Sequence, residues 1–370
     1  MKVLALTPQF LPILGGIEVF VDALARSLAR RSVETTVVTD TDLQGLLPHQ
    51  ETIGSTAVHR LPFLRTMHAQ DSGAALEVLQ RFVALVEALR PDVIHMHAAM
   101  QPSAWFVDRL LNKLPRTPPF ILTQHGMLEP LDRLGVVRAL MLKADVLTAV
   151  SQAVLRSMVE FCGRSAGTAV IYNGIEAPRS TNVQRAGPPF VLACVGRLQH
   201  EKGFDVAIDA LALIRNASID ASLTVVGQGT ERKDLVALVE ARGLAQYVRF
   251  TGVLDRSDTH DVMAGSHLLL VPSRTREGFG LVVAEAALLG VSCVASRLGG
   301  LAETVEDGTT GVLVPPEDPA GLAGAVCALL RNPTRLKTLA TNARQAGLDR
   351  FDMDKCAAEY FNAYRDLVRS

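Results

Sequence analysis

Short apolar segments alternate with stretches of helical periodicity twice along the chain, and this repeated alternation limits the possible folds more than any other feature. In the first series, residues 2–7 are apolar, residues 18–31 have helical spacing, and residues 35–39 are again rich in β-branched side chains. A strand, a helix and a strand in this order predict parallel pairing, because a crossover helix returns the chain in the same direction. The pattern therefore predicts α/β domains built on doubly wound parallel sheets.

Each of the two series contains further predicted strands and helices. In the first series, strands are predicted at residues 93–96, 120–123, 146–150 and 169–172, and helices at residues 74–89 and 151–161. In the second series, strands are predicted at residues 190–195, 223–226, 248–251, 268–271, 292–295 and 311–314, and helices at residues 204–214, 231–242, 281–289 and 354–369. Each series therefore has the order of elements expected of one doubly wound domain.

A break between the two series predicts the domain boundary. Residues 176–189 contain several prolines and a glycine among polar residues and have no periodic apolar face, which is typical of a linker. We therefore predict two Rossmann-like domains, residues 1–177 and residues 188–351, joined by a linker at residues 178–187. Ligands of such sheets bind beyond the carboxyl ends of the strands, so we expect the site in a cleft between two facing domains.

Charge, cysteine content and apolar runs exclude several other classes of protein. Lys and Arg number 37 against 38 Asp and Glu, so the net charge is −1 and a general electrostatic grip on nucleic acid is not expected. The five cysteines are scattered without a C-x-x-C pair, which favours buried thiols in a reducing cytoplasm over a zinc ribbon or a disulfide framework. The N-terminus lacks the pattern of a signal peptide, and no uncharged apolar run approaches the roughly 18 residues that span a bilayer. We expect a cytoplasmic protein that contacts the inner face of the cell membrane at most peripherally.

One segment of the first series could make such a membrane contact. Arg133, Arg138 and Lys143 lie among apolar residues, so this stretch could rest against an anionic bilayer. The alternative is core packing of the apolar residues, with the cations in solvent.

Two glycine-containing loops lie between a predicted first strand and a predicted first helix, one in each series. Gly15 and Gly16 would let the backbone approach a ligand closely, and the following helix N-terminus would offer N–H groups to an anion. In the second series, Arg197 and Lys202 lie five positions apart beside glycines, an arrangement that suits a diphosphate. The alternatives are an ordinary glycine turn and a solvated loop with surface cations.

A third loop, at residues 276–285, follows the predicted strand 268–271. A helix is expected to begin near Gly280 or Leu281, where backbone N–H groups can bind phosphate. Glu277 lies on the loop and Glu285 on the helix, so two separate hydroxyl-binding carboxylates are favoured over an acid/base dyad. The alternative makes Glu285 a residue of the helix face and Glu277 a partner of the helix dipole.

Three histidines lie at the ends of predicted strands. His95 and His97 face the same side of a strand, but a third ligand at metal-binding spacing is lacking, so strand-end packing or lining of an acceptor cleft is favoured over a metal site. His125 follows the strand 120–123 and should face the cleft. The alternative for His125 is a loop histidine with ordinary hydrogen-bond partners.

The motifs at residues 196–198 (Gly-Arg-Leu), 201–203 (Glu-Lys-Gly) and 277–285 together resemble those of the retaining, nucleotide-sugar-dependent glycosyltransferases of family 4. Further matching stretches are residues 172–175, 225–229, 298–303 and 307–311. The resemblance covers nearly the whole chain and is strongest over residues 190–320. It implies the GT-B fold, in which two Rossmann-like domains face a cleft and the last helix crosses back, which assigns residues 352–370 to the first domain.

The resemblance also implies a role for each matching residue. Arg197 and Lys202 would hold the donor diphosphate, Glu277 the hydroxyls of the donor sugar, and Glu285 the ribose hydroxyls, while His125 would lie near the transferring sugar. The donor site would be completed by Gly15, Gly16, Gly196, Val253, Gly278, Phe279, Gly280 and Leu281. No cofactor and no metal ion are implied beyond the nucleotide sugar as co-substrate.

The implied activity is transfer of a hexose from a nucleoside diphosphate to an acceptor hydroxyl with retention of anomeric configuration. Residues 125–128 (His-Gly-Met-Leu) also resemble members that build exopolysaccharide or lipopolysaccharide, although Glu129 stands where those members commonly have Asp. The acceptor would then be a glycan or a lipid-linked glycan of the cell surface. Same-face attack, with the leaving phosphate taking the acceptor's proton, is favoured over a carboxylate nucleophile.

Three alternatives to this activity remain. One is a nucleotide-sugar epimerase of the same fold, and another is a sugar-nucleotide-binding protein without catalysis. The third is a dinucleotide-dependent oxidoreductase, whose G-x-G-x-x-G fingerprint residues 227–232 partly match. Arg232 replaces the third glycine, however, and this fragment does not follow a first strand.

Overall fold

The chain folds into two compact α/β units. The computed structural model describes residues 1–13, 15–42, 45–99, 101–128, 135–178 and 187–369, with only the backbone for residues 101 and 102. One unit comprises Met1–Gly174 with Met353–Ser370, and the other comprises Ile175–Asp352. The predicted first domain is residues 1–177 with residues 352–370, and the predicted second domain is residues 188–351. Residues 179–186 of the predicted linker lie outside the described residues.

The first unit contains a sheet of eight strands with helices between them. Its strands are β1 (Lys2–Thr7), β2 (Glu34–Asp40), β3 (Gln50–Ile53), β4 (Thr56–Leu61), β5 (Val93–His97), β6 (Phe120–Gln124), β7 (Val146–Ala149) and β8 (Thr168–Val170). Its helices include α1 (Gly16–Ala29), α2 (Phe63–Ala69), α3 (Ser72–Leu89), α4 (Gln101–Lys113), α5 (Val136–Lys143) and α6 (Gln152–Cys162). The strand order is β3-β4-β2-β1-β5-β6-β7-β8, and every pairing is parallel except that of β3 with β4. The order reverses between β1 and β5, where ligands of doubly wound sheets bind.

The sequence analysis predicts neither β3 nor β4, and in β4 a buried cation explains the omission. The Arg60 side chain is fully buried and forms an ion pair with Glu51. It also donates hydrogen bonds to the carbonyl oxygens of Leu11, at 2.5 Å, and Pro48, at 3.2 Å. A charged side chain at a core position breaks the apolar pattern that predicts strands. Its contact with Leu11 ties β4 to the loop that follows β1.

The second unit contains a six-stranded sheet in which all pairings are parallel. Its strands are β9 (Phe190–Val195), β10 (Ala221–Val226), β11 (Val248–Gly252), β12 (Leu268–Val271), β13 (Cys293–Ser296) and β14 (Gly311–Val314). Its helices are α7 (Phe204–Asn216), α8 (Arg232–Ala241), α9 (Arg256–Ala264), α10 (Leu281–Leu288), α11 (Leu301–Thr304), α12 (Pro319–Leu330) and α13 (Pro333–Arg350). The strand order β11-β10-β9-β12-β13-β14 places the reversal between β9 and β12.

The last helix, α14 (Met353–Arg369), packs on the first unit rather than the second. Its Asp354 accepts a hydrogen bond from Ser27 of α1 at 2.5 Å and forms an ion pair with Arg30. Tyr360 and Tyr364 lie on its inner face, fully buried in the core around β1, β5 and β6. The helix has a sharply divided apolar and polar surface, so its apolar face needs a core to cover it.

The five cysteines are buried free thiols. Among the helices of the described ranges, none combines the length and the apolar character needed to cross a bilayer.

Candidate active site

Two loops meet at the reversal point of the second sheet. Lys202 lies on the loop after β9, and Glu277 on the loop after the neighbouring strand β12. The Nζ of Lys202 donates to Oε1 of Glu277 at 2.6 Å, and Ser273 Oγ donates to the same oxygen at 2.7 Å. The two charged side chains are 26% and 18% exposed, so their polar ends remain within reach of a ligand. Sequence reasoning assigned both residues to donor binding, and the structure brings them into direct contact.

Arg197 lies on the same loop as Lys202 and is exposed. Among the described residues, its guanidinium forms no hydrogen bond or ion pair, and it is free to meet an anion. The loop itself is firmly held, because the N–H of Gly196 donates to Val226 O at 3.0 Å and that of Leu198 to Gln228 O at 2.9 Å. A Cβ on Gly227 would lie 1.9 Å from Gly196 O, so this approach of two loops requires glycine.

Arg274 joins the two loops that carry Lys202 and Glu277. Its guanidinium donates to both carboxylate oxygens of Asp205, at 2.7 and 2.5 Å, and to the carbonyl oxygen of His200 at 3.0 Å. Partial burial would raise the pKa of Asp205, but the hydrogen bonds and charge of Arg274 outweigh it and lower the pKa. Sequence reasoning missed Arg274. Its position three residues after the end of β12 is the signal that could have found it.

The loop after β12 leads into the N-terminus of α10. Gly280 precedes the first helical residue, Leu281, and has a φ of 92°, in the left-handed region that favours glycine. Phe279 is buried, with its ring edge-on to Phe351 at 5.4 Å between centroids. Gly278, the remaining predicted donor residue of this loop, lies between Glu277 and Phe279 and is half-buried. Since the first N–H groups of a helix lack partners within it, this end of α10 can receive an anion.

Glu285 lies one turn into α10 and has partners different from those of Glu277. Its Oε1 is 3.8 Å from Nε of Arg256 and 3.6 Å from Nε2 of His260, and Arg256 also contacts Glu176 at 3.3 Å. Sequence reasoning missed Arg256 and His260, which reach Glu285 only because α9 packs beside α10. The last predicted donor residue, Val253, follows β11 and is 65% exposed.

In the first unit, Gly15 caps α1 and Gly16 is its first residue, after β1. The carboxylate of Glu18 folds over this helix start, and a Cβ on Gly15 would lie 2.3 Å from its Oε2. A carboxylate there is favourable because it meets the positive end of the helix dipole. An anionic ligand at Gly15 and Gly16 would therefore compete with Glu18.

His97 and His125 meet at the carboxyl ends of the neighbouring strands β5 and β6. Nδ1 of His97 lies 3.1 Å from Nε2 of His125. Burial lowers the pKa of His125 to about 3, and burial with the neighbouring histidines lowers the pKa of His97 well below its ordinary value. Both rings are therefore neutral near neutral pH. Within the described part of the chain, no group of three His, Cys, Asp or Glu side chains could hold a metal ion.

The segment predicted to contact a membrane is only partly described. Arg133 lies outside the described residues, as does Glu129. In α5, Arg138 and Leu142 are exposed, and Lys143 donates to Asp108 at 2.5 Å. The inner residues of α5 pack in the core, and membrane contact stays a prediction.

Family models match both halves of the chain. The model described as Glycosyltransferase Family 4 matches residues 14–179, and the model described as Glycosyl transferases group 1 matches residues 179–346. Glycogen synthase from Mycobacterium tuberculosis is 32% identical over 286 residues, which cover 74% of this chain and 69% of that protein.

Solved structures share the fold over nearly their whole length. Sucrose-phosphate synthase from Thermosynechococcus elongatus aligns with a TM-score of 0.84 at 23% identity, covering 99% of both chains. Anabaena Alr3699/HepE, solved in complex with UDP and glucose, aligns with a TM-score of 0.79 at 25% identity, covering 98% of this chain and 99% of that chain. The predicted GT-B fold of two parallel-sheet domains is confirmed. The chain therefore belongs to the family 4 glycosyltransferases.

Proposed function

We propose that this glycosyltransferase moves a hexose from a nucleoside-diphosphate sugar to an acceptor hydroxyl with retention of anomeric configuration. The observation that carries the proposal is the contact of Lys202 with Glu277 at the reversal point of the second sheet. A cation for the diphosphate and a carboxylate for the sugar hydroxyls thus lie side by side at the edge where such sheets bind nucleotides.

The main energetic barrier in this reaction is charge separation, because a cationic sugar and an anionic diphosphate develop together. Arg197, Lys202 and the N-terminus of α10 would stabilise the departing diphosphate. Glu277 is held by Lys202 and Ser273, so it is better placed to bind hydroxyls than to attack the anomeric carbon. The acceptor oxygen would attack from the leaving-group face as the bond to the diphosphate oxygen breaks. The acceptor's proton would pass to that oxygen.

The neutral ring of His125 supports a binding role at the sugar. A neutral imidazole can donate or accept a hydrogen bond with a hydroxyl and adds no charge beside the developing sugar cation. We propose that His125 contacts the donor sugar near its reacting end.

Known relatives support the donor class and point to the acceptor class. The structure of Alr3699/HepE has been solved in complex with UDP and glucose, and the name of glycogen synthase indicates a polysaccharide product. We therefore propose a sugar nucleotide as the donor, with no further cofactor. As acceptor we propose a glycan or lipid-linked glycan in cell-surface polysaccharide or glycolipid synthesis.

The donor is tested by a thermal-shift screen across nucleoside diphosphates and their sugars. A true donor present at about 100 times its Kd should raise Tm by roughly 5 °C. Incubation with that donor and candidate glycan acceptors should then yield a glycoside whose anomeric proton coupling reports retention. A changed sugar nucleotide without glycoside would identify an epimerase, and binding without any product would identify a non-catalytic binding protein. An inverted product would contradict the proposed mechanism.

Glu285→Ala is expected to weaken binding of the nucleoside diphosphate that gives the largest shift by about 10- to 100-fold, because two hydrogen bonds to a charged group are lost. Titration calorimetry measures the Kd. The preference for the ribonucleotide over its deoxyribose analogue should shrink in the same variant. Glu240→Ala, which changes an exposed carboxylate on α8, is the matched control. An unchanged preference in Glu285→Ala would contradict the ribose assignment.

A further inference from the structure

We propose that His97 is a positioning residue that holds the ring of His125 in one orientation and one tautomer. The inference rests on the proposed function, in which His125 contacts the transferring sugar. Nδ1 of His97 and Nε2 of His125 are 3.1 Å apart, within hydrogen-bond distance.

The ring of His97 is itself held from beneath by a second histidine. The centroids of the His95 and His97 rings are 3.9 Å apart. Both nitrogens of His95 form short hydrogen bonds, Nδ1 with Tyr364 Oη and Nε2 with Thr123 Oγ1, each at 2.6 Å. His95 therefore cannot rotate without breaking two buried hydrogen bonds, and it forms a fixed floor under His97.

The last helix contributes to this floor although it is distant in sequence. Tyr364 and Tyr360 both come from α14, and Tyr360 Oη lies 3.3 Å from Thr123 Oγ1. Thr123 in turn bonds Thr148 of β7 at 2.5 Å. Each of these side chains is buried, so the network is fully shielded from water.

An apolar ring packs against the α1 side of the histidine pair. Phe20 of α1 lies edge-on to His125 at 5.2 Å and to His97 at 6.0 Å between centroids. This packing places an apolar ring against both histidines. It also removes any competing polar partner on the α1 side.

The shared hydrogen bond couples the tautomers of the two neutral rings. If Nδ1 of His97 carries the proton, it donates the hydrogen bond and Nε2 of His125 accepts that bond. The proton of the neutral His125 ring must then be on its Nδ1, which becomes an N–H donor. If Nε2 of His125 carries the proton, its Nδ1 is an acceptor. Among the described residues, Nδ1 of His125 has no hydrogen-bond partner. The tautomer of His97 therefore sets whether the free nitrogen of His125 donates to a sugar hydroxyl or accepts from it.

The kinetic test is a double-mutant cycle of His97→Phe, His125→Ala and the pair of changes together. His97→Phe should lower kcat by about 10- to 100-fold and change the Kd of the donor by less than about threefold. In the His125→Ala background, His97→Phe should lower kcat by less than about twofold, because His97 acts only through His125. Full additivity of the two losses would overturn the inference.

The spectroscopic test is the imidazole nitrogen spectrum of protein labelled with ¹⁵N-histidine. The wild-type His125 should show one tautomer, and His97→Phe should shift its nitrogens toward a mixture. His97→Gln, whose amide can donate or accept a hydrogen bond, should have a higher kcat than His97→Phe. It replaces His97→Phe in both tests if the Phe variant does not fold. Thr148→Val, which removes a bond of the same buried network without touching either histidine, should leave the His125 signals unchanged.

The two tests separate this inference from the proposed function. An unchanged tautomer of His125 in both His97 variants would overturn the inference even if the wild type transfers sugar. Full kcat in His125→Ala would instead contradict the proposed role of His125 in transfer, while the nitrogen spectrum would still decide whether His97 orients it.

Discussion

Lys202→Ala is expected to lower kcat by about 10³-fold or more with the donor identified by the thermal screen. The change removes a cation from the developing diphosphate charge. It also leaves the carboxylate of Glu277, now 2.6 Å from Lys202 Nζ, without that counter-charge beside an anionic leaving group. Both effects raise the energy of the transition state more than that of the bound donor. Steady-state measurement of kcat and KM with a fixed acceptor tests this expectation.

The control for Lys202→Ala is Lys233→Ala, which removes an exposed lysine from α8 of the same unit and should leave kcat unchanged.

The double variant Lys202→Ala with Glu277→Gln adds a sharper comparison. Because the two side chains are in contact, their effects on kcat should not multiply. The fold-loss of kcat in the double variant should be at least about fivefold smaller than the product of the two single fold-losses. Near-normal transfer by Lys202→Ala would contradict the diphosphate assignment outright.

Acidification is expected to destabilise the first unit strongly. Burial lowers the pKa of His95 and of His125 from 6.5 to about 3, and lowers the pKa of His97 well below 6.5. Unfolding exposes these rings, which then bind protons below about pH 6.5, so their contribution to stability is complete above that pH and is lost as pH falls toward the folded pKa values. At about pH 5 each histidine should lower the free energy of unfolding by roughly 2 kcal/mol.

Two carboxylates of the first unit, Asp40 and Glu359, oppose this trend, because burial raises the pKa of each. Burial also lowers the pKa of a fourth histidine, His59, which offsets part of that opposition. Burial raises the pKa of Asp40 to about 6, although its hydrogen bonds to backbone N–H groups partly offset the effect. Asp40 therefore releases a proton on unfolding near pH 5. The net uptake should be about two protons per molecule.

Urea unfolding from about pH 7.5 to about pH 5 measures this uptake as the slope of the free energy of unfolding against pH. His97→Gln should reduce the uptake by about one proton. His49→Gln, which changes an exposed histidine, should leave the slope as it is. A flat profile in the wild type would contradict the burial of neutral histidines.

The strands that line the two reversal points were predictable from the sequence because both of their faces are buried. The apolar runs at residues 2–7, 190–195 and 268–271 match β1, β9 and β12 residue for residue. Parallel strands covered by helices on both faces read as continuous apolar runs, so the pattern is strong. Strand β4 gives no such run, because Arg60 occupies a core position and is compensated by Glu51 and two carbonyl oxygens that are distant in sequence.

The candidate site was predictable where its residues follow a strand directly. Lys202, Glu277 and His125 were found by that position and by resemblance to the family, and their roles in binding stay predictions. Arg274 and Arg256 were not found, because their importance depends on which carboxylates lie opposite them after folding. A single sequence does not encode such pairings in any local pattern.

Two parallel α/β units were predictable from the chain's own pattern of apolar and turn residues, and the same pattern assigned the candidate site to the loops after their central strands. The reason is physical: hydrophobic periodicity and turn residues act locally and can be read along the chain. The pairing of Lys202 with Glu277, and the contact of His97 with His125 above a floor built partly from Tyr364, became visible only in the folded chain. The two residues of each contact are far apart in the sequence, with separations of 75, 28 and 269 positions. Packing and hydrogen bonding in three dimensions bring them together, and no local preference of the chain specifies them.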